Sequence, residues 1–337
     1  MRALVIRKPG EVAIETVPEP VRKEGEVLLR VRMIGLCGSD LNSFRGQNPL
    51  VQFPRIPGHE IAATVVEDRR SHDAITPGVN VTLSPYTNCR KCSSCLRGRP
   101  NACQSNETLG VQRDGALTEY ISVPPAKLYH ANLSIKELCL VEPLTVGFHA
   151  VARGRVTNTD TVVVFGCGGV GLGAIAASNF AGAKTIAVDL DDQKLTIARS
   201  AGAAYTINTS HESLHDRLSD LTNGHGPDVV IEAIGLPQTF RAAVEEVAFA
   251  GRVVYIGYAK EPVAYETRLF VQKELDILGS RNALPQDFQC VIHMLEGRRF
   301  PVDAAVGSIV SLDEAPAILQ AWSENPSRFT KIMVRLD

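Results

Sequence analysis

Four cysteines stand within fifteen residues, in the run Cys89-Arg-Lys-Cys92-Ser-Ser-Cys95-Leu-Arg-Gly-Arg-Pro-Asn-Ala-Cys103. The C-x2-C-x2-C-x7-C spacing brings four thiolates together as a tetrahedral zinc cage. A site closed by four protein ligands has no position for substrate, so it shapes a lobe and does no chemistry. Two other readings of the same residues are a pair of disulfides and an iron–sulfur cluster. The first needs an oxidising compartment, of which the sequence gives no sign, and the usual cluster spacings differ. The remaining cysteines, Cys37, Cys139, Cys167 and Cys290, are dispersed, which suits a reducing cytosol.

A chain of 337 residues is long for one core and suits two domains. Charged residues make up 21%, the formal net charge is −2, and Lys and Arg are scattered, which argues against a nucleic-acid or membrane-surface partner and for a small molecule. Met1–Gly10 reads as a strand entering a turn rather than as a signal peptide, and the most apolar stretch, Val162–Ala177, contains five glycines and falls short of a membrane span. These features predict a soluble, cytoplasmic protein.

Residues 1 to about 145 carry short β-like runs broken by Pro and Gly: Ala3–Ile6, Glu26–Arg32, Ile61–Val66, Asn80–Leu83 and Glu119–Val123. They predict an irregular β-barrel. From Thr161 apolar strands alternate with helical stretches: Thr161–Phe165, a helix after Gly169, Thr185–Val188, a helix from Asp192, Val229–Ala233, a helix from Gln238, and Val253–Ile256. That alternation predicts a doubly wound parallel sheet, hence an α/β fold. Two later helices, Phe288–Glu296 and Leu312–Trp322, and a closing strand, Lys331–Leu336, are expected to return to the first lobe. The predicted domains are therefore 1–145 with 288–337, including a zinc lobe at about 86–106, and 146–287.

The second domain opens with Val162-Val-Val-Phe-Gly166-Cys-Gly168-Gly169-Val170-Gly171, glycines that follow a strand and precede a helix. This is the context a dinucleotide-binding fingerprint requires. Gly166 permits the tight turn, Gly168 lets the backbone approach a pyrophosphate, and Gly171 allows close helix–strand contact. Asp189 lies eighteen residues beyond Gly171, at the end of the next strand, where a carboxylate accepts from ribose hydroxyls and repels a 2′-phosphate. The expectation is NAD rather than NADP.

Further metal-ligand types occur in Gly35-Leu-Cys37-Gly-Ser39-Asp40, Pro57-Gly58-His59-Glu60 and Val141-Glu142-Pro143. Cys37, His59 and a carboxylate would give zinc three protein ligands and an open fourth position, as in catalytic sites. Neighbouring strand residues point to opposite faces, so His59 and Glu60 can share a metal only if the backbone turns at Pro57-Gly58. With Asp114-Gly-Ala-Leu-Thr-Glu-Tyr120 and Glu142-Pro-Leu-Thr-Val-Gly-Phe-His-Ala150, these segments make the chain resemble, over its whole length, the zinc-dependent medium-chain dehydrogenases of the polyol and sugar-acid branch. Sorbitol, threonine, galactitol-phosphate and L-galactonate dehydrogenases belong to that branch.

The resemblance implies a GroES-like barrel domain beside a Rossmann domain, with two zinc ions per subunit. The catalytic ion would be bound by Cys37 and His59, joined by Glu60 or Glu142. It also implies that Ser39 passes on the proton of a substrate hydroxyl while NAD accepts hydride, and that subunits assemble as dimers or tetramers through strands such as Leu275–Gly279. Relatives often carry a histidine where this chain has Asn42, which cannot titrate. Candidate substrate contacts are Arg45, Asn48, Gln112, Arg281 and Asn282; a bidentate fork from Arg281 or Arg45 would suit a carboxylate. Alternatives are a threonine-type amino alcohol, a sugar phosphate, or a non-catalytic nucleotide- or metabolite-binding protein on the same fold. His149 reads as structural, and His72, His130, His211, His215, His225 and His293 lack partner spacing.

Overall fold

The computed structural model describes residues 1–68 and 74–336; His72 lies outside the described residues. The chain divides into two compact units, Met1–Glu142 with Val302–Asp337, and Pro143–Pro301. The boundary falls inside one helix, Ile135–Arg153, at Glu142/Pro143.

In the first unit the run read as Glu26–Arg32 falls in the strand Val27–Leu36, whose Val27, Leu29, Val31 and Met33 are buried while Leu28, Arg30 and Arg32 are half-buried. This strand pairs antiparallel with Glu60–Glu67, Tyr120–Val123 and Lys331–Arg335. The seven-stranded sheet continues through Asn80–Leu83 to Leu128–His130 on one side and ends with Val306–Ser311 on the other. Its core contains Leu29, Ile34, Ile61, Leu83 and Leu117, and the C-terminal segment adds Leu319, Ile332 and Val334. A late strand thus completes an early sheet, aligning Ile332 with Leu36 and placing Lys331 beside that strand end.

The second unit is built on six parallel strands in the spatial order Tyr205–Asn208, Lys184–Asp189, Thr161–Phe165, Val229–Glu232, Arg252–Tyr255 and Asp276–Gly279. Val162, Val163 and Val164 are wholly buried, as a central parallel strand covered on both faces requires. The helix Pro285–Glu296 lies in this unit rather than returning to the first lobe, and the first unit resumes at Val302, not at residue 288. The reason is packing: Asp287 on that helix meets His149 at 2.9 Å, both buried, and His293 packs edge-on against Phe180. Among the described residues no helix is long and apolar enough to cross a membrane.

Candidate active site and metal centres

The four cysteines of the run come together in one cluster. The four sulfurs converge, with Cys92 Sγ 3.5 Å from Cys95 Sγ and 3.8 Å from Cys103 Sγ. A tetrahedral ion with bonds of about 2.3 Å to sulfur needs sulfur pairs about 3.8 Å apart. A disulfide would need about 2.05 Å, and all eight cysteines are free thiols. The Ser94 hydroxyl and the amides of Cys95 and Gln104 pull the Cys92 thiol down to about 5, so it reaches the ligating thiolate form readily. The lobe is pinned at its base by a short antiparallel pairing of Tyr86–Thr87 with Glu107–Thr108.

A second cluster assembles from distant segments of the same unit. Ligand atoms of Cys37, His59 and Glu60 all lie within 4.8 Å of one another. Gly58 adopts φ +97°, and the strand begins only at Glu60, so His59 precedes the pleat and the two neighbours can face one point. The motif Asp114–Tyr120 clamps this bend: the amides of Gly115, Ala116 and Leu117 donate to the carbonyls of Ile56, Gly58 and Pro57 at 2.7, 2.9 and 3.0 Å. Gly35 pairs with Glu60 across the sheet, and a Cβ there would come within 1.9 Å of Glu60 Oε2. Only glycine leaves room for that carboxylate.

His59 and Glu60 are buried and Cys37 is half-buried, and the charges around them are arranged. Asp40 accepts from the amides of Cys37 at 2.9 Å and Gly58 at 3.2 Å, tying the two ligand loops together, and burial pushes its carboxyl above the usual range. Its Oδ1 lies 3.8 Å from His59 Nδ1, an electrostatic rather than a hydrogen-bond distance. Burial works against protonation of His59, but Asp40, and then Cys37 and Glu142, reverse the balance and raise its pKa. Among the described residues His59 Nδ1 is buried without a hydrogen-bond partner, as is Ser39 Oγ. A buried ring nitrogen without a partner beside a thiol and two carboxylates fits a divalent metal that takes sulfur, nitrogen and oxygen.

The two glutamates are held differently. Glu60 receives both its oxygens' bonds from Lys331 Nζ, at 2.6 and 2.7 Å, and Lys331 also donates to the Leu36 carbonyl at 3.2 Å. Burial would push Lys331 down, but Glu60 outweighs it and holds the ammonium charged. Glu142, on the helix Ile135–Arg153, accepts from the Tyr86 hydroxyl. Burial and the neighbouring Glu60 push Glu142 up to about 7 against the pull of His59. Cys139, also buried, rests its sulfur 3.4 Å from the Glu60 carbonyl. Lys331, Tyr86 and Asp40 were not assigned to the site by sequence reasoning. Asp40 sits three residues from Cys37 and was within reach of a local reading; nothing local marks the other two.

In the second unit Gly166 has φ +94°, and a Cβ on Gly171 would come within 1.8 Å of the Gly166 carbonyl oxygen. A Cβ on Gly168 would meet nothing within 4 Å, so the turn leaves an open cradle at the N-terminus of the twelve-residue helix Gly169–Phe180. Asp189 ends the adjacent strand and accepts from the amides of Cys167, Leu190 and Asp191 at 2.7, 2.8 and 3.2 Å. The fingerprint glycines and the acidic residue are thus brought together, an arrangement that fits a dinucleotide.

The substrate candidates fare unevenly. Arg45 is engaged as a brace, donating to the Ser323 hydroxyl at 3.0 Å and to the Ser323 carbonyl. Asn48 donates to Ser43 Oγ at 3.2 Å, and Gln112 accepts from the Thr108 amide at 2.8 Å. Arg281 and Asn282 follow the strand Asp276–Gly279 in the second unit, Asn282 at φ +53°. His130 meets the Asn80 carbonyl, and His215 meets Glu246.

A barrel unit with a cysteine cage and a mixed-donor metal cluster, followed by a parallel-sheet unit with a dinucleotide turn, defines a zinc-dependent dehydrogenase. Residues 23–132 match the alcohol dehydrogenase GroES-like domain and residues 169–297 match the zinc-binding dehydrogenase domain. An uncharacterized zinc-type alcohol dehydrogenase-like protein of Haemophilus influenzae is 34% identical over 335 residues, 98% of each chain. L-galactonate-5-dehydrogenase of Escherichia coli K12 is 29% identical, covering 90% of this chain and 89% of that one. The crystal structure of rspB from E. coli CFT073, described as a short chain alcohol dehydrogenase complexed with NADH, superposes with a TM-score of 0.92 at 26% identity, over 100% of this chain and 99% of that one. The chain belongs to the zinc-binding alcohol dehydrogenase family.

Proposed function

We propose that this protein is an NAD-dependent dehydrogenase that oxidises a secondary hydroxyl of a sugar acid or polyol to a ketone, using a catalytic zinc held by Cys37, His59 and Glu60 or Glu142. The observation that carries this reading is the largely buried convergence of Cys37, His59 and Glu60, with the unpartnered Ser39 Oγ two residues from Cys37. When bound, zinc supplies Lewis acidity to a substrate hydroxyl and NAD supplies the hydride acceptor. The chain's own task is to position them and to carry the proton. Ser39 Oγ can accept the hydroxyl proton while passing its own on to a solvent water, which Asn42, three residues on, can orient but cannot replace as a base. Asp189, without basic compensation in Leu190-Asp191-Asp192, favours a free 2′-hydroxyl and hence NAD over NADP.

Similarity to a relative named L-galactonate-5-dehydrogenase supports the sugar-acid choice. Arg281 and Arg45 are the arginines we propose for a substrate carboxylate, and Arg45 also braces Ser323. We further propose a homo-oligomer, dimer or tetramer, in the cytoplasm. Asp276–Gly279 is an edge strand with an exposed Ile277, and all eight thiols are free. A panel of sugar acids, polyols, sugar phosphates and L-threonine with NAD and NADP, followed at the absorbance of the reduced nicotinamide, tests the assignment. The expected result is NAD-linked turnover of a sugar acid or polyol; turnover confined to threonine or a sugar phosphate would overturn it.

A further inference from the structure

We propose that Tyr86 is a positioning residue of the catalytic zinc site, its hydroxyl fixing the Glu142 carboxylate in the orientation from which it serves the metal. The inference rests on the reading of Cys37, His59 and the glutamates as a zinc site. Tyr86 is 6% exposed and Glu142 3%, and the phenol donates to Glu142 Oε1.

A carboxylate on a helix can rotate about its own side-chain bonds. A ligand that must present one oxygen needs a partner on the other side, and such supporting hydrogen bonds tune metal sites strongly. Glu60 is held through both of its oxygens by the Lys331 ammonium. Tyr86 plays the corresponding part for Glu142, with a neutral donor in place of a cation.

The phenol is itself held rigidly. Tyr86 pairs with Thr108 in a ribbon of two residues per strand, the Pro85 carbonyl accepts from the Leu109 amide at 3.1 Å, and the Lys127 ammonium donates to the Tyr86 carbonyl. The ribbon is bracketed by Cys89 on one side and Cys103 on the other. A cage three residues beyond Tyr86 therefore fixes the backbone that aims the phenol. The lobe that carries the cage is thereby linked to the catalytic cluster through Tyr86.

The test uses the full-length holoprotein and removes only the hydroxyl, by Tyr86→Phe. Zinc content and affinity are measured by competition with a chromogenic chelator, and the visible spectrum is recorded after replacement of the catalytic zinc by cobalt. The expected result is a loss of about 10–100-fold in affinity at the catalytic site, a shifted cobalt spectrum and an unchanged cage zinc. In a Glu142→Ala background the same change should cost less than about twofold, because the two groups act as a pair. An unchanged affinity and spectrum in Tyr86→Phe, or equal losses in both backgrounds, overturns the assignment of Tyr86. A wild-type protein that binds only the cage zinc overturns this inference together with the zinc-site reading, and the two failures are thereby distinguished.

Discussion

The two metal clusters of the first unit solve opposite problems. The cage is chemically uniform and local: four thiols on one short loop, three of them half-exposed, with charge handled by neighbouring hydroxyl and amide donors. The other cluster mixes sulfur, nitrogen and oxygen, is largely buried, and takes ligands from a helix start at Cys37, a bend at Gly58 and a strand start at Glu60. Burying that much negative charge requires compensation, and the chain supplies it from its far end through Lys331. A site meant to hold shape can be assembled from one loop. A site meant to bind a changing ligand needs groups that a single loop cannot bring together without satisfying one another first.

The sharpest way to break this comparison is Cys37→Ser. Turnover should fall to background and zinc content should drop from two ions per chain to one, while circular dichroism stays native; an active variant would remove the functional distinction between the sites. Next in size, Lys331→Met strands the buried Glu60 charge and should cost about 3–5 kcal/mol of stability, read by denaturant unfolding. Adding Glu60→Gln should restore part of that loss, and no recovery would mean that Lys331 acts by packing alone. A smaller effect is expected from Cys92→Ser. The lobe should become protease-sensitive and lose its zinc, and turnover should fall by only about tenfold, by loosening Tyr86, with the second zinc retained. Full activity with an empty cage would show the two clusters to be independent.

Much of the fold was legible because its signals are local. The β-like run Glu26–Arg32 marked most of the strand Val27–Leu36, and strand–glycine–helix order marked Thr161–Phe180. The strand Tyr205–Asn208 and the helix Leu214–Leu221 were not picked out, since their polar residues blur the period. Helix Pro285–Glu296 was read as amphipathic but assigned to the wrong unit, because an apolar stripe says that a helix packs and not against what. In the site, Arg45 shows the same limit: residue type offers a carboxylate fork and says nothing of the brace that position gives the guanidinium at Ser323.

What the sequence determined by itself is whatever depends on neighbours along the chain: the cage spacing, the dinucleotide turn with Asp189, the Cys37–Ser39 and His59–Glu60 pairs, and the alternation that sets strand faces. Tertiary structure alone decided which groups answer those residues. Lys331 reaches Glu60 because the last strand registers Ile332 against Leu36, and Tyr86 reaches Glu142 because a ribbon beside the cage carries it there. The physical reason is that a buried charge has to be neutralised by whatever side chain the packed core places within hydrogen-bond reach. Sequence distance, 271 residues for Glu60 and Lys331, carries no trace of that proximity.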